Sequence, residues 1–283
     1  EGVGQIVAGV DTIRPPGPFS FITGVAEYFA LINAIIIGSF FDRRLGIPWI
    51  TYGVLSTILA VSVSGSRLMA AMVLIVWVGS LGLRLLRKLR PPRVRTVKIF
   101  VIIFAALLPL LVFTPLGGLA LDGWESTSNR FDVANTHDGG FLNRFLRIIA
   151  VPDSVLWDTP LFGYGLGLGT NFGALAVSGS VGFALSEAEM PRILLESGVL
   201  VGSLFLFLRL TFVTSVFSKA WRALGQSNQL PMSLCFANIT VAVVGQIARP
   251  TSMGFVVLSL GFSLAASRFA LIKSTPNQHL LSA

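Results

Sequence analysis

Arginines at the ends of apolar runs are the residues of this sequence best suited to chemistry. Arg67 opens the apolar stretch in "SGSRLMAAM", and Arg14 precedes the first apolar run in "RPPGPF". Arg144 lies in "NRFLRIIA", and Arg192 stands at the start of a later apolar run. A guanidinium forms two parallel hydrogen bonds with a phosphate, so these residues are candidates for binding a lipid-phosphate substrate. For any one of them, contact with lipid headgroups or with nearby acids is the more ordinary explanation.

Two carboxylates stand just before an apolar helix. Glu187 and Glu189 lie in "ALSEAEMPRILLESG", where Pro191 marks the first turn of the predicted helix. A carboxylate beside arginines at a membrane surface suits a general base that takes a proton from a sugar hydroxyl. Acids at a helix N-terminus also stabilise the helix dipole, and both interpretations fit. Glu196, inside the helix, either pairs with an arginine or orients one.

The glycine-rich stretch "GYGLGLGTNFG" is the most unusual local pattern. It contains G-x-G-x-G without the lysine of a nucleotide-binding loop. Its glycines permit positive φ and close backbone approach, which suits a compact wall around a bulky substrate. His137 and His279 are isolated, and the single cysteine, Cys235, lies in an apolar run. The sequence therefore predicts no metal site and no cofactor.

The composition indicates a membrane protein that crosses the bilayer several times. The 283 residues are 53% hydrophobic and 12% charged, against about 25% charged in soluble domains, and the mean hydropathy is +0.79. The net charge is +8, but the basic residues cluster beside apolar spans. This placement is typical of cytoplasmic loops, so we expect no nucleic-acid partner.

Seven runs are long enough to cross a hydrocarbon core of about 30 Å. They fall at 20–41, 47–63, 66–85, 96–115, 191–217, 230–248 and 252–272. We therefore expect an all-α bundle of about seven transmembrane helices. Only "SVSGSR" separates the second run from the third, which predicts a tight helical hairpin that Ser64 or Ser66 caps.

The orientation follows from the basic residues. The stretch "RLLRKLRPPRVRTVK" has no acid, which predicts a cytoplasmic loop. Alternate crossings then put the bases at 43–44, 219–222 and 268–273 on the same side. The segment 116–190 then faces outward, meaning the periplasm or the cell exterior.

Segment 116–190 is too long for an ordinary connection, and such loops are usually functional or disordered. "GGFLNRFLRIIAVPDSVLW" predicts an amphipathic helix on the outer surface. "FGALAVSGSVGFAL" is apolar but too short to span, which favours a re-entrant or interfacial piece. Since the chain starts at Glu1 without an initiator Met, we expect residues 1–283 to form one transmembrane domain, the C-terminal part of a longer protein.

Four stretches, in order, resemble motifs of the O-antigen ligase and O-antigen polymerase superfamily. "RPPGPFSFITGVAEYFA" is similar to an Arg-x-x-Gly-Phe segment before a span, and "SVSGSRLMAAMV" to a Ser-Arg helix start. "NRFLRIIAVPDSVLWDTPLFGYGLG" resembles an Arg-led amphipathic helix followed by Pro-x-x-Gly-x-Gly. "EAEMPRILLESGVLVG" resembles the last motif before a span. At the position of the family's usual His-Asn, this chain has Glu187 and Ala188.

The resemblance implies the C-type fold of membrane glycosyltransferases, in a bacterial inner membrane with the active face in the periplasm. It implies an inverting, metal-independent transfer of an undecaprenyl-pyrophosphate-linked oligosaccharide to a glycan or lipid acceptor. Arg67 and Arg144 would hold the pyrophosphate, with Arg14 and Arg192 as further contacts, and Glu187 or Glu189 would act as base or orient the acceptor. A transporter or flippase for lipid-linked sugars or polysaccharide is the alternative, although no internal repeat supports it.

Overall fold

The computed structural model describes residues 17–19, 22–42, 45–64, 66–87, 155, 157, 159–179, 185–186, 188–225 and 228–274. Within these ranges the regular structure is helical. The helices are α1 (Ile22–Asp42), α2 (Ile47–Ser64), α3 (Arg67–Leu86), α4 (Asn171–Ser178), α5 (Glu189–Gly225), α6 (Leu230–Val244) and α7 (Pro250–Ser274).

Five of these helices are long and apolar enough to cross a membrane, namely α1, α2, α3, α5 and α7. The chain is therefore a multi-pass helical membrane protein. The predicted run 230–248 corresponds to α6, which has only 15 residues, and the run 96–115 lies outside the described residues. The total of seven spans therefore stays a prediction.

The chain divides into two compact units. Among the described elements, the first contains α1, α2, α3, α7, the last part of α5 from Val216 and α6 as far as Ile239. The second contains residues 159–179, α5 as far as Ser215, and the chain from Thr240 to Ala248.

In the first unit, hydrogen bonds between side chains join three membrane-crossing helices. Asn33 on α1 donates to Thr57 on α2 over 2.9 Å, and Trp77 on α3 donates to the Asn33 side-chain oxygen over 2.9 Å. Along α1, Ala26, Ala30 and Ala34 are fully buried. Small residues allow helices in lipid to pack closely, and side-chain hydrogen bonds then fix their pairing.

The predicted hairpin between α2 and α3 is present. Helix α2 ends at Ser64 and α3 begins at Arg67, and the Ser66 hydroxyl accepts a hydrogen bond from the Met69 N–H over 3.3 Å. Ser66 is therefore the N-cap of α3, one of the two candidates that the sequence offered. The cap satisfies one of the free N–H groups at the helix start.

Replacing Ser66 with alanine is expected to lower stability by about 1 kcal/mol, since Met69 loses its acceptor. Denaturation in detergent micelles, followed by circular dichroism, measures the change. Ser62→Ala is the control, because the Ser62 hydroxyl donates only to a carbonyl of its own helix. Equal effects of the two substitutions would contradict the capping role.

One end of the first unit collects polar and basic side chains. The Asp42 carboxylate, at the end of α1, accepts the N–H groups of Gln229 and Leu230 at the start of α6. Arg84 donates to the Gln229 side chain over 2.9 Å, and Arg87 stacks on the Trp221 ring. The C-terminal ends of α1, α3 and α5 therefore lie on the same side of the first unit. This is the arrangement expected of helices that cross the membrane in alternate directions. Which side of the membrane it faces stays a prediction.

Candidate functional site

The structure describes three of the six candidate site residues. Arg67 lies at the first position of α3, in the first unit, whereas Glu189 and Arg192 lie in the first turn of α5, in the second. Arg14, Arg144 and Glu187 lie outside the described residues.

Arg67 stands where a helix favours negative charge. The N–H groups at the start of a helix carry partial positive charge, so a cationic side chain gains nothing from the dipole there. Arg67 is half-buried, directly after the Ser66 cap. The helix dipole therefore does not favour an arginine at this position, whereas an anion near the start of α3 would interact favourably with both the side chain and the dipole.

Glu189 and Arg192 form a buried ion pair. Arg192 Nη2 donates to Glu189 Oε2 over 2.5 Å, and the two residues are 8% and 2% exposed. Glu196 lies one turn further along α5, with its Oε1 atom 3.9 Å from Arg192 Nε. The structure therefore brings Glu189, Arg192 and Glu196 together, and Glu196 pairs with an arginine, one of the two roles that the sequence suggested.

Arg209 is a fourth member of this cluster, and the sequence analysis missed it. Its Nη1 atom lies 4.0 Å from Glu189 Oε1, and the residue is 8% exposed. Its signal in the sequence is a single charge in the apolar run "LFLFLRLTF". A charged residue within a membrane span is costly and by default marks a functional or structural partner.

Arg209 also binds the end of α6. Its Nε atom donates to the carbonyl of Ala242 over 2.7 Å, and its Nη2 atom donates to the carbonyls of Val241 and Gly245 over 2.8 Å and 2.7 Å. The last carbonyls of a helix have no partner within that helix and carry partial negative charge. Arg209 therefore closes the C-terminal end of α6.

The formal charges of the four groups in the cluster sum to zero, yet not all of their hydrogen-bond donors have a partner. Among the described residues, Arg192 Nε and Arg209 Nη1 are buried N–H donors without a hydrogen-bond partner. Each faces a carboxylate at about 4 Å, which is beyond hydrogen-bond distance. A buried donor without a partner costs about 1–3 kcal/mol. The cluster thus holds two guanidinium donors that an added oxygen atom could satisfy.

The glycine segment, defined here as residues 159–170, docks on α5 beside this cluster. Helix α5 is broken at Gly198, whose φ of 81° and ψ of 164° are not helical. The carbonyls of Leu195 and Glu196 accept the N–H groups of Tyr164 and Gly165 over 2.8 Å and 3.1 Å. The segment therefore replaces helix hydrogen bonds at the break, because a carbonyl buried in a membrane protein needs a partner.

The contact between the two backbones is too close for side chains. A Cβ atom added at Gly198 would overlap the Leu161 carbonyl and the Gly163 nitrogen, and one added at Gly163 would overlap the Glu196 carbonyl. Gly169 donates its N–H to Glu196 Oε1 over 2.8 Å, which links the segment to the charged cluster. The glycines thus make a close backbone approach, as predicted, and the neighbour is α5.

A comparison of the chain with protein-family models, with curated proteins and with solved structures finds no match.

Proposed function

We propose that this chain is a membrane glycosyltransferase of the O-antigen ligase or polymerase kind. It transfers an undecaprenyl-pyrophosphate-linked oligosaccharide to a glycan or lipid acceptor at the periplasmic face of a bacterial inner membrane. The observation that carries the proposal is the buried cluster of Glu189, Arg192, Glu196 and Arg209, in which Arg192 and Arg209 each keep an N–H donor without a hydrogen bond. The resemblance of four ordered motifs supplies the substrate class.

In this proposal the arginines bind the pyrophosphate. Arg67 and Arg144 hold it, and Arg14 and Arg192 are further contacts. The phosphate oxygens gain negative charge as the bond from the anomeric carbon to the pyrophosphate breaks, and guanidinium groups stabilise that charge in the transition state. The position of Arg67 at the start of a helix supports this role, because the dipole of α3 favours the same anion.

The carboxylates have separate roles in the proposal. The Glu189 carboxylate accepts a hydrogen bond from Arg192 over 2.5 Å, which supports a role for Glu189 in orienting that arginine. The role of general base then falls to Glu187. It takes the proton of the acceptor hydroxyl as the oxygen attacks the anomeric carbon from the side opposite the pyrophosphate. The new glycosidic bond forms with inversion, the pyrophosphate leaves as an anion, and no metal is required.

The test uses the full-length protein in lipid with an undecaprenyl-pyrophosphate oligosaccharide, and the products are separated on a gel beside candidate acceptors. Arg67→Ala and Glu187→Gln are each expected to lower the rate of product formation at least about 100-fold. Arg222→Ala is the matched control, since Arg222 is exposed in the last turn of α5, and it should leave the rate unchanged.

A transporter or flippase is the second candidate, and one observation favours it. Helices α5 and α6 both contain breaks, at Gly198 and at Asn238, where φ is −132° and ψ is 20°. Discontinuous helices are typical of transporters, in which they form the substrate site. If the lipid-linked sugar moves between leaflets and no glycan product forms with any acceptor, the transferase proposal is wrong and the transporter stands.

A further inference from the structure

Residues 159–179, which comprise the glycine segment and helix α4, expose apolar side chains although α4, with eight residues, is too short to span a membrane. This stretch contains no charged residue. Five of its large apolar side chains are 69–83% exposed, namely Leu161, Phe162, Leu166, Phe172 and Val177. Exposed apolar side chains in such number within one short stretch indicate contact with a membrane or with another protein.

The depth of the stretch follows from its attachment to α5. Tyr164 and Gly165 donate to Leu195 and Glu196, just before the break at Gly198. From Val199, just after the break, to Ser218, just before Lys219, α5 has about 20 residues, or roughly 30 Å at 1.5 Å per residue, and a hydrocarbon core is about 30 Å thick. Arg209, the charged residue within this stretch, is buried and donates to carbonyls at the end of α6. The break at Gly198 and Lys219 therefore mark the two boundaries of the core. The attachment point lies at the boundary on the Glu196 side.

The surface of α5 just beyond the break is also apolar and exposed. Leu200, Leu204 and Phe205 lie there, within a span that must face lipid. The backbone hydrogen bonds of Tyr164 and Gly165 attach the stretch to α5 a few residues before this surface. Because the stretch also lacks charge, the lipid bilayer is the partner that fits it.

We propose that residues 159–179 are an interfacial element that inserts into one leaflet, with Leu166 and Phe172 among the lipid chains. Lipid then covers the outer side of the stretch while α5 binds its backbone, and the membrane holds the glycine segment against the helix break. This inference does not depend on the proposed function.

Spin labels test the proposal in lipid nanodiscs. Single cysteines are placed at Leu166 and Phe172 in a Cys235→Ala background, because Cys235 is buried and is the only cysteine. The nitroxide is then relaxed with oxygen, which concentrates in lipid, and with a water-soluble nickel chelate. A cysteine at Leu204, on the exposed face of α5, is the lipid control, and one at Arg222 is the aqueous control.

We expect labels at 166 and 172 to be more accessible to oxygen than to nickel, with ratios close to that at 204. A ratio close to that at 222, at either position, would overturn the proposal. Low access to both reagents would mean that a protein surface covers the stretch, and would overturn it as well. Both positions are exposed, so the labels should not disturb folding, and circular dichroism verifies this.

Discussion

Replacing Arg209 with methionine is expected to destabilise the protein by about 3–5 kcal/mol, the usual effect of removing one partner from a buried ion pair. The substitution keeps much of the side-chain volume. It leaves Glu189 without one of its two cationic neighbours and frees the carbonyls of Val241, Ala242 and Gly245 at the end of α6. Denaturation in mixed micelles, followed by circular dichroism, gives the free energy of unfolding.

Further variants separate the charge of Arg209 from its hydrogen bonds. Arg209→Lys keeps the charge but lacks the fork that reaches three carbonyls, so its loss of stability should be intermediate. Adding Glu189→Gln to Arg209→Met should destabilise less than the sum of the single changes, because the uncompensated charge is gone. Arg222→Met, at an exposed position, should change stability by no more than about 0.5 kcal/mol. If Arg209→Met unfolds at the same denaturant concentration as the original protein, the clamp on α6 is not stabilising.

The crossing helices were predictable because long apolar runs are local features of the sequence. The run 20–41 became α1, Ile22–Asp42, and the run 66–85 became α3, Arg67–Leu86. The ends of the helices, however, do not coincide with the ends of the apolar runs. The run at 191–217 stops near Lys219, yet α5 continues to Gly225, since helix hydrogen bonds do not end where apolar residues do.

The end of α6 is a second case of this kind. The apolar run 230–248 passes through Gly245, but α6 ends at Val244, and turns follow before Pro250 starts α7. Glycine just past the last helical residue, with proline shortly after, is an ordinary stop signal. Hydropathy alone does not reveal this stop signal.

The candidate site divides in the same way into local and distant parts. Glu189, Arg192 and Glu196 are three and four residues apart on one helix, a spacing that makes neighbours of them in any α-helix. Arg209 binds carbonyls more than 30 residues further along the chain, and no spacing rule gives that contact. The sequence therefore predicted the acids and Arg192 but missed the residue that ties them to α6.

Replacing Gly198 with alanine is expected to destabilise the protein by about 3 kcal/mol or more. Its φ of 81° and ψ of 164° lie in a region nearly restricted to glycine, which costs other residues about 1–3 kcal/mol. The new Cβ would also overlap the Leu161 carbonyl and the Gly163 nitrogen. The glycine segment must then move away, and each hydrogen bond that it loses to Leu195 and Glu196 costs about 1 kcal/mol. Denaturation gives the stability, and hydrogen exchange at Tyr164 and Gly165 reports the detachment.

Alanine substitutions at three other glycines separate the effect of steric overlap from the cost of the backbone conformation. Gly163→Ala should resemble Gly198→Ala, and the double variant should lose less than the sum, since either change separates the same two backbones. Gly167 has a φ of 89° but open space around a Cβ, so Gly167→Ala should lose only the conformational term of about 1–2 kcal/mol. Gly254 lies within α7, with nothing near an added Cβ atom. Gly254→Ala should therefore raise the free energy of unfolding by up to about 1 kcal/mol. If Gly198→Ala were tolerated as well as Gly254→Ala, the glycine segment would not be docked on the break in α5. The presence of glycine at positions 163 and 198 would then need an explanation other than close backbone contact.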